Sequence, residues 1–190
     1  MINLIIYIET VCRNLRFRCK GRWFKFYLLL HGCKVGKGLK CIGFPKFRAI
    51  PKKNIAIGNY VTLGRNIIFE IGHEGKLIIE NHVLLADNIL LSTISEIKIK
   101  NWAAIAENVS IRGSFHEMKK DQPYRLQGNV SEPIVLGEDT GVGAGCVVLM
   151  GVILPKGAFV GSNSTVTKKD ELEEYGIYGG TPLKLLKKRT

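Results

Sequence analysis

LGEDTGVGAGCVVLMGVILPKGAFVGSNSTV, running from Leu136 to Val166, places an aliphatic residue at every sixth position. Leu136, Val142, Val148, Leu154, Val160 and Val166 keep that interval without a miss. Gly137, Gly143 and Gly161 follow directly, and a small or β-branched residue stands four places on at Thr140, Cys146, Val152, Ala158 and Ser164. A period of six fits neither an amphipathic helix nor a strand hairpin. It fits a coil with flat sides, in which each side is a short strand turning one aliphatic inward. Glycine or another small residue eases the sharp bend between sides. Three sides make a turn of eighteen residues, and stacked turns bury a continuous apolar column while neighbouring strands pair in parallel.

The register extends upstream. Ile57, Leu63 and Phe69 form one run, Ile79, Leu85 and Leu91 the next, and Ile99, Ile105 and Ile111 a third. Val35 and Cys41, with Leu39 between them, make a weaker start. The steps from Ile57 to Ile79 and from Ile79 to Ile99 are 22 and 20 residues, so insertions of four and two residues interrupt the turns. From Ile111 to Leu136 the step is 25 residues, which sends a long loop out of the coil between Gly113 and Pro133. Long loops in compact repeats are commonly functional, and this one opens on Phe115, His116 and Glu117.

The chain of 190 residues has room for one domain and a short appendage, and its 46% hydrophobic and 23% charged residues exclude wholesale disorder. The net charge of +12 is confined to one end. Residues 1–53 hold 13 Lys/Arg against Glu9 alone, whereas residues 54–190 balance 15 basic against 15 acidic groups. The body therefore lacks the basic stripe of a nucleic-acid binder. Residues 2–8 are apolar but have neither the charged start nor the cleavage site of a leader. Five cysteines without a CxxC pair fit a reducing compartment, and together these features predict a cytoplasmic protein.

These repeats resemble the hexapeptide-repeat acyltransferases, most closely those that O-acetylate sugars. The likeness covers roughly residues 33–190 and is strongest from Pro133 to Asp170 and from Gly179 to Arg189. It implies a left-handed parallel β-helix, a handedness the period alone does not give and one that breaks the usual crossover preference. It further implies a bacterial enzyme that uses acetyl-CoA, requires no metal, and forms a homotrimer with active sites between subunits. Expected boundaries are an N-terminal helical segment at 1–32, the β-helix at 33–168 and a tail with a short C-terminal helix at 169–190. That last helix would begin at Pro182, with Leu183, Leu185 and Leu186 giving it an apolar side.

Acyl transfer from a thioester needs a base for the acceptor's proton, donors for the developing oxyanion, and both substrates held at reaction distance. Of the four histidines, His31 precedes the coil, His73 falls in an irregularity, and His82 sits at an outward position within a regular hexad. His116 stands five residues past Ile111 and opens the long loop, the place at which the resembled enzymes carry their catalytic histidine. The resemblance also implies pantetheine contacts at Ala144 and Ser162, which lie eighteen residues apart on one edge. It implies phosphate contacts at Thr167, Lys168, Lys184 and Lys187. Similar enzymes often carry Trp where this chain has Gly141. Acceptor contacts are expected at Asn88 and at Arg125, with Gln127 beside it in the loop.

The first 32 residues are a separate problem. Ile8, Cys12, Leu15, Cys19, Trp23 and Phe26 recur at helical spacing and are surrounded by Arg13, Arg16, Arg18, Lys20, Arg22 and Lys25. That pattern suits an in-plane helix on an anionic membrane, and equally a helix capping the open end of the coil. The expected function is acetylation of a sugar hydroxyl in surface polysaccharide assembly, on a lipid-linked glycan, at the inner face of the membrane. The alternatives are a soluble acceptor such as an amino-sugar nucleotide, a serine-like metabolite or an antibiotic, and a non-catalytic scaffold. A zinc hydratase built on a similar coil would need about three imidazoles around one metal, and position 121 is Asp rather than His.

Overall fold

Each hexad becomes one strand and one corner. The structure is a computed structural model, and it describes residues 2–190. The first face of the coil stacks Lys34–Val35, Ile55–Ile57, Lys76–Ile79, Glu96–Ile99, Ile134–Leu136 and Ile153–Leu154. The second stacks Lys40–Cys41, Thr62–Leu63, Leu84–Leu85, Ala104–Ile105, Gly141–Val142, Phe159–Val160 and Gly176–Gly179. The third stacks Lys46–Phe47, Ile68–Ile71, Leu90–Thr93, Ser110–Arg112, Val147–Leu149 and Thr165–Val166. Neighbouring strands within each face are parallel up to Gly176–Gly179, so each turn advances by one strand spacing, about 4.8 Å.

The register aligns the inward residues into columns. On the second face Cys41, Leu63, Leu85, Ile105, Val142 and Val160 pair one above another, and all are buried. Each fully buried aliphatic contributes roughly 1.5–3 kcal/mol relative to exposure. Between faces the corners are held by polar ladders. The side-chain amide of Asn66 donates to Asn88, and that of Asn88 to Asn108, each at 3.1 Å. These three residues take positive φ of 52°, 60° and 61°, a conformation asparagine tolerates better than most.

Irregularity is confined to one corner, the one joining the third face to the first. There the connections run over residues 48–54, 72–75, 94–95 and 113–133, while the other two corners keep four residues in every complete turn from Ile55 to Val166. The predicted insertions and the long loop all leave the coil along this single edge.

Helix α1, Ile2–Leu30, closes the first turn. Phe24 and Leu28 are buried against it, with Phe24 stacked 5.9 Å from Phe47 and Phe47 5.5 Å from Phe69. Gly21 permits the approach, since a Cβ there would meet the Leu39 carbonyl oxygen at 2.1 Å. Lys20 and Lys25 donate from Nζ to the carbonyls of Ile42 and Gly36 at 2.8 and 2.9 Å. The apolar stripe read from the sequence is not the packed face. Ile8, Leu15, Trp23 and Phe26 are exposed, as are Cys12 and Cys19. At 3.6 residues per turn they lie opposite Gly21, Phe24 and Leu28. The helix thus has two apolar faces, and only one of them caps the coil.

The tail corrects the sequence reading. Residues 184–188 form a strand, not a helix, running antiparallel to Gly176–Gly179 at the end of the second face. Pro182 sits in the turn between the two strands. Tyr178 is buried with its hydroxyl accepting from the Glu173 amide at 2.6 Å. The outer edge of Gly176–Gly179 needs a partner for its backbone groups. Pairing with Lys184–Lys188 satisfies that need, and a short isolated helix would not.

Candidate active site

The long loop is an antiparallel hairpin at its base. Ser114–His116 pairs with Asn129–Ser131, setting His116 opposite Asn129 and Ser114 opposite Ser131. A single 3-10 turn, Tyr124–Leu126, forms the tip. Gln127 is buried and clasps the loop. Its side-chain oxygen accepts from the Lys119 amide at 2.7 Å, and its nitrogen donates to the carbonyls of Lys119 and Gln122 at 2.9 and 2.8 Å. The expected sugar contact at Gln127 is therefore replaced by a structural one, because its amide is already spent on the loop backbone.

His116 itself is exposed, and the Tyr124 ring meets it edge-on at 5.8 Å between centroids. Glu117 pairs with Lys119 at 2.6 Å, so the neighbouring carboxylate serves the loop. Because opposed residues of an antiparallel pair share a face, His116, Ser114, Asn129 and Ser131 lie on one side of the hairpin. A recess of about 500 Å³ opens there, lined by Glu74, Lys76, Ser95, Glu96, Asn129 and Ser131 together with Ile94. None of these lining residues was singled out from the sequence. The signal was present in the insertions at 72–75 and 94–95, which stack beneath the hairpin on the same corner.

The other expected site residues separate into groups. Ala144 and Ser162 lie one above the other on the second corner, where the Asn163 amide donates to the Ala144 carbonyl at 2.8 Å. Lys184, paired with Gly179, stands above that same corner. Lys187, opposite Ile177, lies further back along the second face. Thr167 and Lys168 are on the third corner. There the Thr167 hydroxyl donates to Asp170 at 3.1 Å, and Lys168 pairs with Glu132 at the base of the loop. Asn88 belongs to the corner ladder, and Arg125 is exposed at the loop tip. Gly141 is explained by its neighbour in the next turn, since a Cβ there would meet the Phe159 ring at 2.2 Å.

Within one chain, His116 and the Ala144–Ser162 edge stand on opposite sides of the third face. The full run of a third-face strand lies between them. One chain thus carries an exposed imidazole, opposite the Asn129 that lines the polar recess, on one edge, and the small residues Ala144 and Ser162 on another.

The remaining histidines are placed elsewhere. His31 Nδ1 lies 2.9 Å from the Tyr27 carbonyl. His82 points outward and stacks between Tyr60 and Trp102, at 5.2 and 4.1 Å. Among the described residues no group of three His, Cys, Asp or Glu is placed to hold a metal ion. Burial pushes the Cys41 thiol up to about 12, against the opposing charge of Lys20, which makes it a poor nucleophile.

The chain matches no family model. It is 29% identical over 186 residues to a probable acetyltransferase of Mycobacterium tuberculosis, covering 96% of this chain and 58% of that protein. It is 33% identical over 108 residues to a probable macrolide acetyltransferase of Lysinibacillus sphaericus, covering 48% and 59% of the two. A match of 55 residues at 44% identity links it to a chloramphenicol acetyltransferase of Klebsiella aerogenes, 29% of this chain and 25% of that one. The chain thus spans less than two thirds of the curated relatives it matches. Among solved structures, an N-acyltransferase from Bacillus cereus in complex with dTDP and 3-hydroxybutyryl-CoA superposes with a TM-score of 0.71. The identity is 21%, over 87% of this chain and 88% of that one. A galactoside acetyltransferase in complex with coenzyme A gives 0.59 at 17% identity, over 93% and 80%. In fold the coil matches the left-handed β-helix of these acyltransferase structures.

Proposed function

We propose that this chain, built on the coil of the hexapeptide-repeat acyltransferases, moves an acetyl group from acetyl-CoA to a sugar hydroxyl, with His116 as general base. The observation that carries the reading is that His116 is paired opposite Asn129, which lines a polar recess, on the one corner where the coil departs from its period. Its relatives' names support acetyl transfer, and the 3-hydroxybutyryl-CoA and coenzyme A complexes of two structural neighbours support a coenzyme A thioester as donor.

In this reading His116 takes the proton from the acceptor hydroxyl as that oxygen attacks the acetyl carbonyl. The same proton then passes to the departing thiolate, so the reaction balances without a covalent acyl-enzyme. Glu74, Ser95, Glu96 and Asn129 supply hydrogen-bond partners for the hydroxyls of a sugar in the recess. Ala144 and Ser162 leave room for the pantetheine arm, and Lys184, at the top of that edge, meets phosphate as a point charge. Thr167, Lys168 and Lys187 are the outer candidates for the same role. A homotrimer would set the small-residue edge of one copy against the His116 corner of the next, uniting parts that one chain holds apart.

The acceptor we favour is a glycan destined for surface polysaccharide and carried on lipid, because α1 keeps an exposed apolar stripe bordered by arginines. A soluble acceptor is the second reading, favoured by the macrolide and chloramphenicol acetyltransferases among the relatives. Mass spectrometry after incubation with acetyl-CoA and a panel of lipid-linked sugars, nucleotide sugars and antibiotics decides between them. A gain of one acetyl group on a sugar hydroxyl is the expected result. Acetylation of antibiotics alone would move the acceptor to the second reading, and no transfer to any hydroxyl or amine would reject the enzyme.

A further inference from the structure

A cluster of positive charge lies away from His116, at the junction of α1 with the first two turns. A cleft of about 510 Å³ is lined by Arg18, Arg22 and Lys25 from the helix and by Lys37, Lys40 and Tyr60 from the coil. No acidic residue lines it. The ion pairs among the described residues use none of these five cations. Lys25 is fixed by its bond to the Gly36 carbonyl, and Lys37 is held 5.6 Å from the centre of the Tyr60 ring. Cations crowded on two walls of one cleft repel each other, and a multiply charged anion between them relieves that repulsion.

What surrounds the cleft identifies the source of the anion. Arg18, Arg22 and Lys25 form one shoulder of α1, directly beside the stripe that includes Cys19, Trp23 and Phe26. Trp23 is 69% exposed and Phe26 55%. The two rings meet edge-on at 6.4 Å, and Trp23 borders an apolar recess shared with Phe44 and Pro45 of the coil. An apolar stripe flanked by arginines is the arrangement of a helix lying at a lipid surface, with its side chains in the acyl boundary and its cations among the phosphates. No helix among the described residues is long and apolar enough to cross a membrane, which agrees with a helix that lies on one.

We propose that this cleft is a phosphate site, distinct from the candidate active site, which takes the phosphate or diphosphate of a membrane lipid while the stripe of Ile8, Leu15, Trp23 and Phe26 lies in the bilayer. The inference rests on the membrane contact proposed above and deepens it, by assigning headgroup and acyl boundary to separate side chains. It does not depend on acetyl transfer.

The test uses the full chain and three probes: vesicles of phosphatidylcholine with phosphatidylglycerol, vesicles of phosphatidylcholine alone, and inorganic pyrophosphate. Binding to the anionic vesicles and to pyrophosphate is expected, with pyrophosphate competing for the vesicles. Arg22→Gln with Lys37→Gln, both at exposed positions, weakens each by about tenfold or more. Trp23→Ser with Phe26→Ser abolishes vesicle binding and leaves pyrophosphate binding intact. A polarity-sensitive dye on Cys12 or Cys19, the exposed thiols, shifts to the blue with anionic vesicles only. Equal binding to phosphatidylcholine, or no effect of the Arg22 and Lys37 pair, overturns the site. Pyrophosphate binding without vesicle binding overturns the lipid source and assigns the cleft to a soluble phosphate compound. Coenzyme A binding, measured on the same variants, stays unchanged, so a failure of the acetyltransferase reading registers separately.

Discussion

The two regular corners of the coil and the irregular third one obey different rules. At the regular corners a side chain can have a neighbour 20 or 22 residues away doing the same thing. Asn59, Asn81 and Asn101 are linked amide to amide at 2.9 Å, and Tyr60, His82 and Trp102 stack ring on ring. The third corner repeats nothing. It holds a hairpin clasped by its own Gln127 and a recess assembled from three different insertions. Repetition produces stability there because each rung supports the next. Chemistry needs the reverse, a set of unlike groups facing one space, and the third corner is the edge at which the coil has room for such a set without disturbing the columns inside.

That contrast breaks most visibly at His116. His116→Ala should lower acetyl transfer by roughly 10²–10⁴-fold while melting at the wild-type temperature, and an unchanged rate in an acetyl-CoA turnover assay would remove the third corner from the chemistry. The opposite pole is Leu85, fully buried in the second-face column. Leu85→Ala should cost about 2–5 kcal/mol by denaturant unfolding, and a loss below 1 kcal/mol would mean that the columns do not govern stability. Gln127→Ala sharpens the division. It frees the loop from three hydrogen bonds, so turnover should fall by about tenfold through misplaced geometry with the unfolding midpoint of the coil unmoved. A parallel drop in both would show loop and coil to be one cooperative unit. Smallest is Asn88→Ala, one rung removed from a corner ladder, for which a loss of about 1 kcal/mol is expected with the rate intact. A specific rise in KM or fall in kcat instead would return Asn88 to the acceptor site.

The coil was legible because a period of six is a demand of geometry. One inward residue per side must be apolar whatever the rest of the hexad does, so Leu63, Leu85 and Ile105 announce their column from spacing alone. The position of His116 was legible for the complementary reason, since it stands where the period fails. Its surroundings were not. Glu74, Ser95 and Asn129 are far apart in sequence and meet only because three insertions of different length stack on one corner. The tail misled because Leu183, Leu185 and Leu186 fit a helix locally, whereas the strand is imposed by the unpaired edge of Gly176–Gly179. The stripe on α1 was read correctly as apolar, but two apolar faces of one helix compete for the same coil. Gly21 decided between them by allowing the closer approach.

The final strand has a consequence for how these molecules keep apart. A stack of parallel strands invites another identical stack to continue it, end on end, into a fibre. Here one terminus is plugged by a helix, and at the other a reversed strand bearing Lys184, Lys187 and Lys188 closes the second face. A newcomer would meet the wrong polarity and the positive charges of Lys184 and Lys187.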